Sequence, residues 1–368
     1  MAIGSCYCEA TDKGAEHWSV LKSFGLDNPL RLRVLCGDQV YLDLSQASGN
    51  PIIMNAPNPW ERYPEHWESR RFRAFLAALP TVVLADDHEF WNDYPHGNAY
   101  LLWDESQPNG PLGQKMNRAF AVFQAALNLD PAAVVDDGQE IDRLLSEEAP
   151  TFLLDLGLLQ LFVLDTRTRR TRYDASRPRF TAGPWLQRAI QWIQNLTTPG
   201  VLLVSQPMVE QRTSWFKRKT HTMGDVNLPD YDEDFADLWE AILAAGHDVL
   251  VVSGDIHWSR LYQIARPLNP GREVFEFISS PLARIPFGTP GLGEANGKVE
   301  WQRSNGTAYW TRYADCADNS DQLYGTLTLT PQGAAVGSPV KVEAVLWGLP
   351  PGVNNGPVRL RVAEFTLR

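Results

Sequence analysis

Asp-Val-Leu-Val-Val at 248–252 runs directly into Ser253-Gly254-Asp255-Ile256-His257. A short run of Val and Leu has the length and side-chain type of a buried strand. Directly after it comes a glycine turn carrying an acid and an imidazole. The arrangement recurs along the chain. Arg31–Leu35 leads into Cys36-Gly37-Asp38, Thr81–Leu84 into Ala85-Asp86-Asp87-His88-Glu89, Leu159–Leu164 into Asp165-Thr166-Arg167, and Val201–Val204 into Ser205-Gln206-Pro207. Helical stripes lie between these runs. Phe72, Phe75, Leu76 and Leu79 recur at helical spacing, as do Leu186, Ala189, Ile190 and Ile193 behind Pro184, and Phe235, Leu238, Trp239 and Ile242 ahead of Gly246. Met116, Phe120, Phe123 and Leu127 form a looser fourth stripe. Strands alternating with helices imply α/β layers, and ligands of such sheets lie beyond the carboxyl ends of the strands. Asp38, Asp86, Asp87, His88, Asp165, Asp255 and His257 all fall there.

The whole-chain quantities narrow the class. The 368 residues carry 33 Lys+Arg against 44 Asp+Glu, a net charge of −11. A hydrophobic content of 44% excludes a disordered chain, and the acidic balance argues against a nucleic-acid partner. Four cysteines, Cys6, Cys8, Cys36 and Cys316, make no disulfide scaffold; Cys36 and Cys316 read as buried thiols. The longest apolar run, Phe152 to Leu164, is broken by Asp155 and Gln160 and falls short of a membrane span. The N-terminus shows no basic region leading into an apolar stretch, so a cytoplasmic location without membrane partners is expected. Oligomeric state is left open. After residue 270 the pattern changes to alternating strands at Val274–Ile278, Leu323–Leu329, Val340–Leu346 and Val358–Leu367, with a loop at Gly288–Gly297. The expected division is a catalytic domain over 1–290 and a C-terminal β extension over 291–368, packed on that domain. No repeat is found.

Three strand ends carry the chemistry. Gly37 permits a tight turn that sends Asp38 off the sheet, with Tyr41 three residues on and able to fold back beside it. Asp86-Asp87-His88-Glu89 places four ionisable groups in a row, followed by Asn92 and Asp93; such a cluster repels itself unless solvent or a cation offsets the charge. At a strand end, alternation would put Asp255 and His257 on one side, within reach of one metal. Together they make a mixed oxygen and nitrogen donor set suited to a pair of hard or borderline cations, with Asp38 as the natural bridge. Two-metal sites activate water and hold both oxygens of an in-line displacement at phosphorus.

Taken in order, Gly4-Ser5-Cys6, Gly37-Asp38-Gln39-Val40-Tyr41, Ala85-Asp86-Asp87-His88-Glu89-Phe90-Trp91-Asn92-Asp93, Leu164-Asp165-Thr166-Arg167 and Ser253-Gly254-Asp255-Ile256-His257-Trp258-Ser259 resemble the PhoD-like (alkaline phosphatase D) branch of the calcineurin-like metallophosphoesterases. Gly183-Pro184-Trp185-Leu186 and Glu276–Ser280 add to the resemblance, which spans roughly residues 3–285. It implies a four-layer αββα sandwich of two mixed sheets, with the C-terminal strands as an addition. It also implies a binuclear centre of ferric iron and calcium, or another divalent cation. Iron would fall on Cys6, Asp38, Tyr41 and His257, and the second cation on Asp38, Asp87, Asn92 and Asp255. Cys8 competes with Cys6 as the thiolate. His88 would contact the phosphoryl group, with Asp86 orienting it.

The function so implied is hydrolysis of small phosphate esters, diester or monoester, by a metal-bound hydroxide. The competing classes are an inert metal-binding or scaffold protein on the same fold and a metallohydrolase acting on another bond. Arg167 has two readings, a bidentate ligand of substrate phosphate or a structural partner of Asp165. His221 and Asp230 lie in a polar stretch, Trp215–Asp234, read as a surface loop. Gly291, Gly293 and Gly297 do not have the spacing of a dinucleotide loop, and neither a nucleophile elbow nor a P-loop occurs.

Overall fold

The computed structural model describes residues 1–12, 15–44, 57–96, 110–129, 142–172, 175–209, 228, 231–266, 271–283, 311–317, 322–349 and 356–368. The expected loop Gly288–Gly297, with Gly291, Gly293 and Gly297, lies outside these residues, as do His221, Asp230 and most of the polar stretch around them. The backbone of Thr311–Ala317 is described, while the Cys316 side chain lies outside the described groups.

Among the described residues, thirteen strands form two sheets. The first sheet contains β1 (Ala2–Gly4), β2 (Arg33–Cys36), β3 (Thr81–Leu84), β11 (Leu323–Pro331), β12 (Val340–Gly348) and β13 (Val358–Leu367), in the order β13-β12-β11-β1-β2-β3. β1, β2 and β3 are parallel, and β11 pairs antiparallel with β1. The second contains β4 (Phe152–Asp155), β5 (Gln160–Val163), β6 (Gly200–Leu203), β7 (Val249–Ser253), β8 (Ser259–Ala265), β9 (Glu273–Ile278) and β10 (Thr311–Ala317), ordered β10-β8-β9-β7-β6-β5-β4. Its centre, β5, β6, β7 and β9, is parallel, and the flanking strands run antiparallel.

The strands sort their side chains by alternation. On β7, Leu250 and Val252 face inward, where they meet Val34 and Cys36 of β2 and Val82 and Leu84 of β3. Val249 and Val251 face outward against α5 (Gly183–Gln194) and α6 (Asp232–Ala244), through Leu186, Ala189, Ile193, Phe235, Leu238 and Trp239. Leu35 and Val83 face outward from the first sheet onto Trp18 and Leu21 of α1 (Glu16–Asp27) and Phe72 and Phe75 of α3 (Arg70–Leu76). The layers are therefore helix, sheet, sheet, helix. Each buried Leu, Ile, Val or Phe contributes about 1.5–3 kcal/mol by leaving water, and the parallel strands read as continuous apolar runs because both faces are covered. A separate cluster under α2 (Pro59–Trp67) and α4 (Pro111–Phe123) packs Tyr63, Met116 and Phe120 against Phe90, Trp91 and Tyr94.

The expected elements differ from the observed ones in two respects. Phe152 to Leu164 folds back on itself as the β4–β5 hairpin. Leu127, counted in the fourth helical stripe, lies beyond α4 in a short 3-10 turn at Ala125–Asn128. The strands expected as a C-terminal extension are hydrogen-bonded into both sheets. β10 edges the second, and β11 lies beside β1 in the middle of the first.

The two sheets are stitched together at the carboxyl ends of their parallel strands. The Ser5 hydroxyl donates to the Ser279 carbonyl at 3.1 Å, the Ser279 hydroxyl to the Ile3 carbonyl at 3.0 Å, and the Leu282 amide to the Ser5 carbonyl at 2.8 Å. Gly254 sits in this seam, where a Cβ would lie 2.3 Å from the Ser5 hydroxyl oxygen.

Candidate metal centre

Past the ends of β1, β2, β3 and β7 the backbone turns sharply. Six non-glycine residues among those described have positive φ: Cys6 (57°), Ala15 (56°), Asp38 (54°), Asp93 (64°), Asp255 (70°) and His257 (51°). Four of them carry donor side chains to one place, and Asp93 donates its amide to Asp87 Oδ2 at 2.7 Å. Left-handed backbone costs about 1–2 kcal/mol per L-residue and gathers at functional sites. Gly37, at φ 88°, is held by space as well; a Cβ there would lie 2.4 Å from Asp86 Cβ.

The side chains form three overlapping groups, Cys6 with Asp38 and His257, Asp38 with Asp87 and His88, and Asp38 with Asp86, Asp87 and Asp255. Within each group the donor atoms lie within 4.8 Å of one another. Asp38 belongs to all three. Cys6 Sγ is 3.4 Å from Asp38 Oδ2, and the Tyr41 hydroxyl is 3.5 Å from Asp38 Oδ2 and 3.3 Å from His257 Nε2. Cys6, Asp38, Tyr41 and His257 thus converge. Cys8 packs against Tyr41 and Leu44 and belongs to none of the three donor groups. Asp255 and His257 reach the cluster, though not by strand alternation. β7 ends at Ser253, and two left-handed residues separated by Ile256 aim Asp255 at the carboxylates and His257 at Cys6. Asn92 is half-buried, and its backbone N–H donates to Asp43 Oδ2 at 2.9 Å.

His88 donates or accepts through Nδ1 at 2.7 Å to Asp43 Oδ1, with Asp43 almost wholly buried. The resemblance gives Asp86 this orienting role; the carboxylate in hydrogen-bond contact with the ring is Asp43. Asp86 is held instead by Arg167, whose Nε donates to Asp86 Oδ1 and whose Nη1 donates to the Tyr94 carbonyl at 2.8 Å. Asp86 and Arg167 are both fully buried. A guanidinium so enclosed and engaged braces the carboxylate cluster. Asp165, its other expected partner, accepts the Arg167 and Thr168 amides at 2.9 and 2.8 Å.

Four strand ends from two sheets thus close on a shared aspartate. The model of the PhoD-like phosphatases matches residues 27–334. The chain belongs to the PhoD-like phosphatase family. It is thereby a phosphoric ester hydrolase. By fold it is similar to a solved structure of PhoD, with a TM-score of 0.50 and 14% identity over 98% of this chain and 71% of that one. It is also similar to a purple acid phosphatase from yellow lupin (Lupinus luteus) seeds, with a TM-score of 0.48 and 11% identity over 93% of this chain and 50% of that one. No curated protein gives a significant match. Among the described residues no helix is long and apolar enough to cross a membrane.

The donor set of this PhoD-like phosphatase fits bound cations. Burial, then the neighbouring Asp87 carboxylate, drives the Asp38 carboxyl well above its usual range. Burial, then Asp38 and Asp255, does the same to the Cys6 thiol, and burial, then Cys6 and Asp38, to the Tyr41 phenol. Acids packed this closely out of water oppose one another's ionisation, and positive charge in their midst removes the penalty. Sulfur, phenol and imidazole beside a carboxylate suit a borderline or ferric ion; carboxylates alone suit a hard one. For His88, burial lowers the pKa, but Asp43, Asp87 and Asp38 together outweigh it and the net direction is well upward.

Several supporting residues stand in or beside the quoted runs and motifs, which gave them no role. Glu89 is fully buried and accepts the amides of Asp38, Gln39 and Asp86 at 2.9, 2.6 and 2.8 Å, and the Gln124 side-chain amide at 3.0 Å. Gln206 donates to Asp255 Oδ2 at 3.1 Å. The Ser280 hydroxyl donates to Cys6 Sγ at 3.1 Å. Asp43, two residues past Tyr41, belongs to none of the quoted motifs. Only its distance to His88, 45 positions along the chain, distinguishes it.

Proposed function

We propose that this PhoD-like phosphatase hydrolyses small phosphoesters at a two-cation centre in which Cys6, Asp38, Tyr41 and His257 hold ferric iron and Asp38, Asp87, Asn92 and Asp255 hold calcium or another divalent ion. The observation that carries the reading is the sharing of Asp38 among all the donor groups, with the His88–Asp43 pair beside them. When bound, the cations supply Lewis acidity toward phosphate oxygens and toward water.

The protein's own residues do the rest. Asp43 fixes the proton on His88 Nδ1, which leaves Nε2 for the substrate. His88, held charged by three carboxylates, hydrogen-bonds a phosphoryl oxygen and can pass its Nε2 proton to the departing alcohol. Gln206 keeps Asp255 turned into the cluster, and Ser280 donates to the Cys6 sulfur, favouring its thiolate. Glu89 holds the β2 and β3 turns in register, so Asp38 and Asp87 arrive together.

The test is steady-state hydrolysis of bis(4-nitrophenyl) phosphate and 4-nitrophenyl phosphate by wild type and His88→Ala. The variant is expected to lose a hundredfold or more in kcat, on the scale of ~10²–10⁴ for a lost general acid, with metal content unchanged. An unaltered kcat removes His88 from the reaction.

A further inference from the structure

The loop after β5 is strongly basic. Arg167, Arg169, Arg170, Arg172, Arg177 and Arg179 fall between residues 167 and 179 of a chain whose net charge is −11. Arg167 is buried against Asp86. Arg169, Arg170 and Arg172 line a cleft of about 860 Å³ to which α4 contributes Arg118. Asp142 is the one carboxylate among its described lining residues. Arg118, Arg169 and Arg172 are exposed. Neither Arg118 nor Arg169 makes an ion pair within 4 Å of a described carboxylate; Arg169 donates to the Ser146 carbonyl at 3.4 Å and is near enough to Asp165 to favour its ionised form. Phe120, Val122 and Leu145 form an apolar part of the lining.

Guanidinium groups gathered in one cleft repel one another, and an anion relieves the repulsion. Arginine is also the side chain best shaped for phosphate or carboxylate, which it binds through two parallel hydrogen bonds. Two hydrogen-bond relays link the walls of the cleft to the reacting centre. Buried Arg170 donates to Gln206 Oε1, and Gln206 donates to Asp255. Tyr94 lines the cleft, and its carbonyl accepts from the Arg167 that holds Asp86.

The geometry points to this cleft as an anion subsite that takes a second phosphate or carboxylate carried by the substrate, at a distance from the ester that reacts. The inference rests on the catalytic reading above and adds a substrate class to it, phosphoesters with two separated anionic groups joined by a partly apolar linker.

Calorimetric binding of hexane-1,6-diyl bisphosphate and of hexyl phosphate to the purified full chain, with its metals retained, tests this without turnover. Wild type is expected to bind the bisphosphate at least tenfold more tightly. Arg118→Glu with Arg169→Glu should bring the ratio near one and leave hexyl phosphate affinity unchanged; Arg118→Gln with Arg169→Gln should fall between. Equal affinities in wild type, or a preference that survives the double Glu variant, overturn the proposal. Hydrolysis of 4-nitrophenyl hexyl phosphate is read separately. Absent turnover with the binding preference intact overturns the catalytic reading while supporting the subsite; turnover without the preference does the reverse.

Discussion

Single residues decide the chemistry here by where their partners lie. Asp43 touches His88 and no cation donor group includes it. Asp43→Asn is therefore expected to lower kcat about 10–100-fold, the usual effect of losing a residue that orients a functional histidine, with KM and metal content near wild type and the alkaline limb of the pH–rate profile moved to lower pH, because Asp43 is one of the carboxylates that raise the His88 pKa. A parallel fall in metal content would make Asp43 part of the cation site instead. The two N-terminal cysteines separate as cleanly. Cys6 lies 3.4 Å from Asp38, while Cys8 faces Leu44. Cys6→Ser should lose the visible absorption expected of ferric phenolate, and Cys8→Ser should keep it. The opposite result would exchange their roles.

At the scale of elements, the strands and their order of chemistry were legible in the sequence because parallel strands buried on both faces are uninterrupted runs of Val and Leu. The polar residues after each run could be read as a site because such sheets present their carboxyl ends to ligands. The contacts between elements were not legible. The Asp86 partner, Arg167, is 81 positions away on the other sheet, so proximity along the chain pointed to His88 instead. The left-handed turns at Asp255 and His257 were hidden for a similar reason, since positive φ in Asp and His comes from tertiary closure and not from residue type. Glu89 shows how an element can depend on one carboxylate. It accepts three backbone amides that no other described group satisfies. Glu89→Gln brings an amide donor against those donors, and unmet buried groups cost about 1–3 kcal/mol each. The expected outcome is a Tm several degrees lower and a weakened metal affinity; a Tm within one degree of wild type would remove Glu89 from this role.

Over the whole molecule, the sandwich is completed late in the chain. β11 supplies the antiparallel neighbour of β1, and Leu323, Leu327, Val340 and Val342 fill the space between the sheets. A chain ended at residue 290 would bare the edge of β1 and the inner face of both sheets, and it should be insoluble or molten by near-ultraviolet circular dichroism. A soluble, active truncation would contradict this packing. Buried acids set the pH response of the fold. The Asp165 carboxyl is fully enclosed, and burial raises its pKa to about 6 despite two backbone amides. Its unfolded value is near 4, so the folded state keeps the proton longer. The stabilising contribution is complete below about pH 4 and is lost as the pH rises through about 6, on the order of 3 kcal/mol in all. Asp165→Asn should flatten the dependence of the urea midpoint between pH 4 and pH 7, and an unchanged slope would assign that dependence elsewhere.

The central claim is that Asp38 joins two cation sites into one centre. Elemental analysis of wild type and Asp38→Asn, purified without chelators or a metal-affinity tag, tests it most directly. The account predicts about one iron and one further divalent ion per wild-type chain, with both lost together from the variant. A wild-type chain that holds one metal or none after iron and calcium are resupplied, or a variant that loses only one of two, would contradict it.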